Sequence, residues 1–277
     1  MNKKLMAILG VAAAMCLCFA LVGCGGNSSS SSSDSAAADE GMTFVVGFDK
    51  AYPPYGYVGD DGEYTGVDLD LAKETCKRLG WEFKAEPIDW DAKDALIDQG
   101  NITCIWNGFT YEGREDSYAF SGQYMINAQV VVVKADSDVK TLADLKDKTV
   151  ITQVDSAALD VLDNDMKDLQ ATFKGGKAQT ITDYNNAFMQ LESGTVDAVA
   201  CDLSIAAYQM AAKPDAYKQL DEQLSSEHYA VGFKLGETDM PAKVTEALKK
   251  LDADGTVKTL CEKYADYGMD YSNWVLK

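Results

Sequence analysis

The chain has 277 residues, with 44 acidic against 25 basic side chains and a formal net charge of −19. A surface that negative repels nucleic acid and anionic lipid, so neither is expected as an electrostatic partner. His228 is the only histidine, which argues against histidine-based metal sites and makes a Ser-His-Asp triad depend on one residue. No metal and no cofactor is expected.

The chain opens with Lys3 and Lys4, followed by an uncharged, mostly apolar run over 5–22 that ends in Leu21-Val22-Gly23-Cys24. Eighteen residues is the length of a long signal-peptide core and marginal for a membrane span. A small residue directly before a cysteine at the end of such a core resembles a bacterial lipobox. That resemblance implies a signal peptide over 1–23, removed after the Cys24 thiol is alkylated with diacylglycerol. Residues 24–41 then carry the lipidated cysteine and a tether with six consecutive serines at 28–33. Nothing in the tether can fill a core, and its reach is roughly 20–25 Å. Two acyl chains suffice to hold a protein on a membrane, which places the folded part at the outer face of the cytoplasmic membrane. Loss of 1–23 removes two lysines and no acid, leaving a net charge of −21.

From Met42 onward about 235 residues remain, enough for two modest cores or one large one. Residues 43–47 (TFVVG) read as a buried strand. Residues 68–79 read as a helix, with Leu69, Ala72, Cys76 and Leu79 on one face, Asp68 as cap and Gly80 as stop. Strands follow at 81–86, 104–106 and 129–134, with a short helix at 92–98. This alternation implies a mainly parallel sheet flanked by helices. The pattern then restarts. Strands are expected at 149–152, 171–173, 196–201 and 229–233, and helices from about Ser156 and over 183–193, 204–212, 241–254 and 256–264. Two α/β units of similar layout suggest two lobes facing across a cleft, where ligands meet the carboxyl ends of strands. Cys76, Cys104, Cys201 and Cys261 permit disulfides in three connectivities, but their apolar settings favour buried, unpaired thiols.

Four segments at strand ends carry the chemistry. Asp49 follows the first strand, in a proline-stiffened loop that displays Tyr52 and Tyr55. Gly108 and Thr110, with Arg114 just beyond, follow the 104–106 strand. The glycine lets backbone approach a ligand, and the arginine can fork onto a carboxylate. Ser156-Ala157 begins a helix, where free N–H groups suit an anion, although Ser156 can equally cap its own helix. Asp202 ends another strand and suits an ammonium or caps the following helix. Together these groups suit a free α-amino acid: carboxylate at Arg114 and the helix start, ammonium at Asp202, side chain near Tyr52.

In their order and spacing, several motifs resemble the polar amino acid-binding components of ABC transporters, extracellular solute-binding proteins of family 3. These motifs are Gly47-Phe48-Asp49 with Tyr52-Pro53-Pro54-Tyr55, Gly66-Val67-Asp68-Leu69, Trp106-Asn107-Gly108-Phe109-Thr110 with Arg114, Thr141-Leu142-Ala143-Asp144-Leu145, and Val196-Asp197-Ala198 with Asp202. The resemblance spans about 42–270. It implies a two-lobed periplasmic binding protein-like II fold (a Venus flytrap), each lobe a mainly parallel sheet flanked by helices, with a two-strand hinge. Lobe 1 would be 42–132 plus 228–277, and lobe 2 133–227. The resemblance further implies that Arg114 grips the ligand carboxylate, that Gly108 and Thr110 meet the α-amino and carboxylate groups, that Asp202 pairs with the ammonium and that Ser156-Ala157 adds lobe-2 contacts. Asp49, Tyr52 and Trp90 or Asn107 would face the side chain.

Three departures stand out: a one-residue shortening between Thr110 and Arg114, Asp155 where a glycine is common, and Thr103 where an aspartate is usual. The last reads as structural. The expected protein is a monomeric receptor handing its ligand to a membrane permease. A prephenate- or arogenate-type dehydratase shares the fold and is the enzymatic alternative, but no motif specifies its general acid or base. A sensor-type lobe pair is the third class. The side chain of the amino acid stays open among cystine, glutamine and basic amino acids.

Overall fold

The computed structural model describes residues 41–277, and the proposed signal peptide, lipobox and nearly all of the tether lie outside them. β1 (Thr43–Phe48) leads into a small sheet of β2 (Ala51–Tyr52), β3 (Gly56–Val58) and β4 (Tyr64–Thr65). Next come α1 (Val67–Leu79), β5 (Glu82–Pro87), α2 (Lys93–Asp98), β6 (Cys104–Ile105), β7 (Tyr118–Phe120) and the long β8 (Met125–Lys134). The second half runs β9 (Val150–Gln153), α3 (Ala157–Asp163), α4 (Lys167–Gln170), β10 (Gln179–Ile181), α5 (Tyr184–Ser193), β11 (Ala198–Asp202), α6 (Leu203–Ala212) and β12 (Tyr217–Gln219). It closes with β13 (Ser225–Tyr229), β14 (Gly232–Lys234), α7 (Asp239–Ala253) and α8 (Thr256–Lys263).

Two larger sheets organise these elements. One has the order β5-β1-β6-β14-β7 and the other β10-β9-β11-β8-β12. In each, the fourth strand alone runs antiparallel to its neighbours: β14 in the first sheet, β8 in the second. β8 and β13 pair antiparallel from Met125↔Tyr229 to Gln129↔Ser225, forming the two-strand crossing between the lobes.

The local chemistry explains the elements. In α1, Leu69, Ala72 and Cys76 are buried at helical spacing, acids occupy the first turn, Lys77 and Arg78 the last, and Gly80 closes it at φ 71. Asp68 is not its cap. Gly66 holds that position, and Asp68 lies inside the helix with its side chain turned to the Gly108 loop. The unbroken valine run of β8 is buried on both faces. Val130 and Val132 pack into one core cluster, Val131 and Val133 into another with Leu162 and Phe173. Each fully buried valine contributes roughly 1.5–3 kcal/mol.

Two expected strands are corrected. Residues 171–173 form a turn, Phe173 N–H donating to Gln170 O at 3.0 Å while its ring fills the core. The edge strand is instead β10, whose sequence is polar because its side chains are largely exposed. The 229–233 run is two strands, because the chain leaves β8 at Tyr229 and joins the other sheet at Gly232. Cys76, Cys104, Cys201 and Cys261 are buried free thiols. Thr103 Oγ1 accepts the Val45 N–H at 3.0 Å, a structural role.

Candidate functional site

Loops at the carboxyl ends of β1, β6, β9 and β11 converge between the lobes. Asp49 is buried at the end of β1 and accepts from Ala51 N–H at 2.8 Å and from Gln153 Nε2, at the end of β9, at 2.7 Å. Burial raises its pKa above the ordinary carboxylate value, against these two donors. Tyr52 turns into the cleft, its hydroxyl 3.3 Å from that of Tyr229. Tyr55 folds back and meets the Tyr229 ring edge-on at 5.1 Å.

The Gly108 loop is held from beneath. Asp68 Oδ2 accepts the Gly108 N–H at 2.6 Å and the Tyr124 hydroxyl at 2.8 Å, and burial pushes its carboxyl up to about 7. Gly108 has φ +57, and a Cβ there would stand 3.1 Å from both Tyr52 and Tyr229, so a side chain is disfavoured on two grounds. Thr110 Oγ1 donates to Glu227 Oε1 at 2.9 Å. The shortened stretch before Arg114 is a turn, Arg114 N–H donating to Tyr111 O, and it returns the guanidinium to the cleft over the Phe109 ring at 4.8 Å. Its Nη2 reaches Asp160 Oδ2 at 3.1 Å and Asp155 O at 3.4 Å on the opposite lobe.

Asp155 has φ 52, the left-handed geometry that makes glycine the usual choice there. Its carboxylate is offset by Lys93 Nζ at 3.3 Å, and its carbonyl accepts Trp90 Nε1–H at 3.1 Å. The departure at this position is therefore matched by a lysine across the cleft. Ser156 caps α3, its hydroxyl accepting from Leu159 N–H at 3.2 Å.

Asp202 makes no capping bond to α6. Instead its Oδ1 accepts from Asn127 Nδ2 (2.9 Å), Gln129 Nε2 (2.7 Å) and the Tyr229 hydroxyl (3.0 Å). Burial, outweighing these donors, raises its pKa.

Tyr52, Trp90, Gly108, Thr110, Arg114, Ser156, Ala157 and Asp202 line one small cavity of about 20 Å³, together with Gln153. That is room for a water molecule rather than an amino acid, so the lobes lie closed on each other. Arg114 and Ala157 also line a wider opening of about 810 Å³. Two expected residues are not among the lining. Asp49 stands one residue back, behind Gln153, and Asn107 is buried against Gly56. Asn127, Gln129, Glu227 and Tyr229 were not anticipated. Their signal is polar residues at period two on the crossing strands, where β8 is otherwise apolar.

Two α/β lobes closed over a polar cavity, joined by paired crossing strands, define a two-lobed binding protein. The chain belongs to the bacterial extracellular solute-binding proteins, family 3, whose family model matches residues 44–267. It is 30% identical over 245 residues to the L-cystine-binding protein TcyJ of Escherichia coli (strain K12), covering 84% of this chain and 88% of the relative. It is 24% identical to the arginine-binding extracellular protein ArtP of Bacillus subtilis (strain 168), covering 95% and 98%. A substrate-binding protein of an ABC uptake transporter from Streptococcus pneumoniae, solved with bound histidine, superposes with a TM-score of 0.77 at 31% identity, over 80% of this chain and 92% of that one. The fold is thus that of the type II periplasmic amino acid-binding proteins. Among the described residues no helix is long and apolar enough to cross a membrane.

Proposed function

We propose that this protein is a lipid-anchored extracellular receptor that closes on one free amino acid and delivers it, chemically unchanged, to the permease of an ABC transporter. The observation that carries the reading is that Arg114 and Asp202, a guanidinium and a carboxylate, line one cavity from opposite lobes. An α-amino acid carries the complementary pair. In this reading Arg114, with the Ser156-Ala157 backbone, takes the carboxylate, and Thr110, the Gly108 backbone and Asp202 take the ammonium. Tyr52 and Trp90 face the side chain, with Asp49 acting through Gln153 and Asn107 supporting the loop. Lobe 1 is 42–132 plus 228–277 and lobe 2 is 133–227. Closure follows from the ligand's preference for the closed state.

The relatives bind cystine, arginine and histidine by name. They support the common zwitterion and leave the side chain open. Cys24 supplies the anchor and the serine tether the reach, for a monomer at the outer face of the cytoplasmic membrane. The test is a thermal-shift screen of ligand-stripped protein against the common amino acids and cystine. A ligand at a hundred times its Kd stabilises by about 2.7 kcal/mol. At roughly 2–4 °C per kcal/mol for a domain of this size, Tm rises by about 5–10 °C. Absence of a shift with any of them at millimolar concentration would refute the reading.

A further inference from the structure

Asp202 shares its hydrogen-bond donors with a second buried carboxylate that stands behind the cavity lining. Glu227, on the return crossing strand, is 2% exposed, and its Oε1 accepts from the same two amides as Asp202. Asn127 Nδ2 lies 2.6 Å from Glu227 Oε1 and 2.9 Å from Asp202 Oδ1, and Gln129 Nε2 lies 2.8 Å and 2.7 Å from them. Thr110 Oγ1 and Tyr229 OH add to these, the first on Glu227 and the second on Asp202. Every one of these donors is neutral.

The nearby cations are engaged elsewhere. Across the wider opening, which Glu227 lines although it does not line the smaller cavity, Arg114 is paired with Asp160 and Lys93 with Asp155, while Glu112 is bonded to His228. Two buried carboxylates that share donors and have no cation of their own repel each other, and a shared proton or an incoming cation relieves this. We infer that the ligand's ammonium is recognised by an Asp202–Glu227 carboxylate pair that holds a proton in the empty cleft and releases it to solvent on binding. This inference rests on the receptor reading above and adds Glu227 to it as a residue that selects for a cationic amino group.

The direction of the pKa shifts agrees. Burial and repulsion from Asp202 push Glu227 up to about 7, and burial raises Asp202 as well. The proton belongs to the pair rather than to one residue. The sign follows: an ammonium stabilises the ionised pair, so affinity falls as pH drops through about 7. Replacing Glu227 by an amide removes both the mutual repulsion and the group that titrates near 7.

The experiment is isothermal titration calorimetry of ligand-stripped protein with whichever of L-glutamine, L-arginine or L-cystine gives the thermal shift, in phosphate and in imidazole buffer. Wild-type protein is expected to show a buffer-dependent enthalpy corresponding to about half a proton released at pH 7. Its Kd should rise toward roughly tenfold per pH unit on the acid side. Glu227→Gln is expected to bind with that slope and buffer dependence lost. Binding by wild type with buffer-independent enthalpy would overturn the pair while leaving the receptor reading intact. So would a Glu227→Gln protein that keeps the wild-type pH slope. If no amino acid binds, the receptor reading fails and the pair fails with it. The wild-type measurement decides the matter even where the variant does not fold.

Discussion

On the proposed reading, replacing Arg114 should separate binding from folding. The side chain is 10% exposed, but its partner Asp160 is 59% exposed. Water therefore screens that pair, and its loss costs no more than about 1 kcal/mol of stability, a fall of roughly 2–4 °C in Tm. Binding is a different case. In the proposed binding mode a ligand carboxylate closed in with Arg114 is desolvated, and removing one partner of such a pair costs about 2–5 kcal/mol. That raises Kd by roughly thirtyfold to a few thousandfold, at about 1.4 kcal/mol per factor of ten. Arg114→Lys keeps the charge and loses the planar fork. Forfeiting one hydrogen bond to a charged group costs about 1.5–3 kcal/mol, so this variant should fall between wild type and Arg114→Ala. Calorimetric titration gives the affinities, and circular dichroism with a thermal melt checks the fold. An unchanged Kd in a folded Arg114→Ala protein would remove the guanidinium from the site.

Three further outcomes are expected. Asp68 is pushed up to about 7 in the folded protein, from an ordinary 3.8. Between those values the folded state holds a proton the unfolded chain has released, so the contribution to stability is lost as pH rises through 7. Glu227 acts in the same direction. Scanning calorimetry of ligand-free protein should show Tm rising as pH falls from 7 toward 5, less steeply in Asp68→Asn. An equal slope in the variant would clear Asp68. Gly108→Ala places a Cβ at φ +57, 3.1 Å from Tyr52 and Tyr229. It should lower both ligand affinity and stability, the latter by about 1–3 kcal/mol, and wild-type values for both would show that the loop relaxes freely. Cys24→Ala should bind ligand normally and fail in membrane retention and uptake; impaired binding would show that anchor and site are not separable.

How much was legible in the sequence depended on whether a residue's partner was near it in the chain. The helix at Val67–Leu79 and the strand after Ser193 follow from apolar spacing and their bounding glycines, because burial of one face is written locally. Gly108, Arg114 and Asp202 could be picked out because each stands just past a strand end. β10 was missed because an exposed edge strand carries no apolar signature. Asp68 reads as a cap in the sequence because its real partner, the Gly108 N–H, is distant along the chain. The same holds for Glu227, whose three close donors come from Thr110, Asn127 and Gln129. Only pairing of the two crossing strands sets it beside Asp202.

That pairing links recognition to motion. Asn127 stands directly opposite Glu227 in the β8–β13 register, and Tyr229 opposite Met125. Asn127, Gln129, Glu227 and Tyr229 are thus at once the strands that join the lobes and the immediate surroundings of the Asp202 carboxylate. Any change in how the lobes rotate must alter the geometry of these strands, and so the donors presented to Asp202. An ammonium that prefers one arrangement of those donors biases the lobe angle by the same free energy. On the opposite rim, the Lys93–Asp155, Trp90–Asp155 and Arg114–Asp160 contacts span the two lobes. They are partly exposed and individually weak. They can therefore favour closure without holding the cleft shut against ligand exchange, as the proposed receptor role would require.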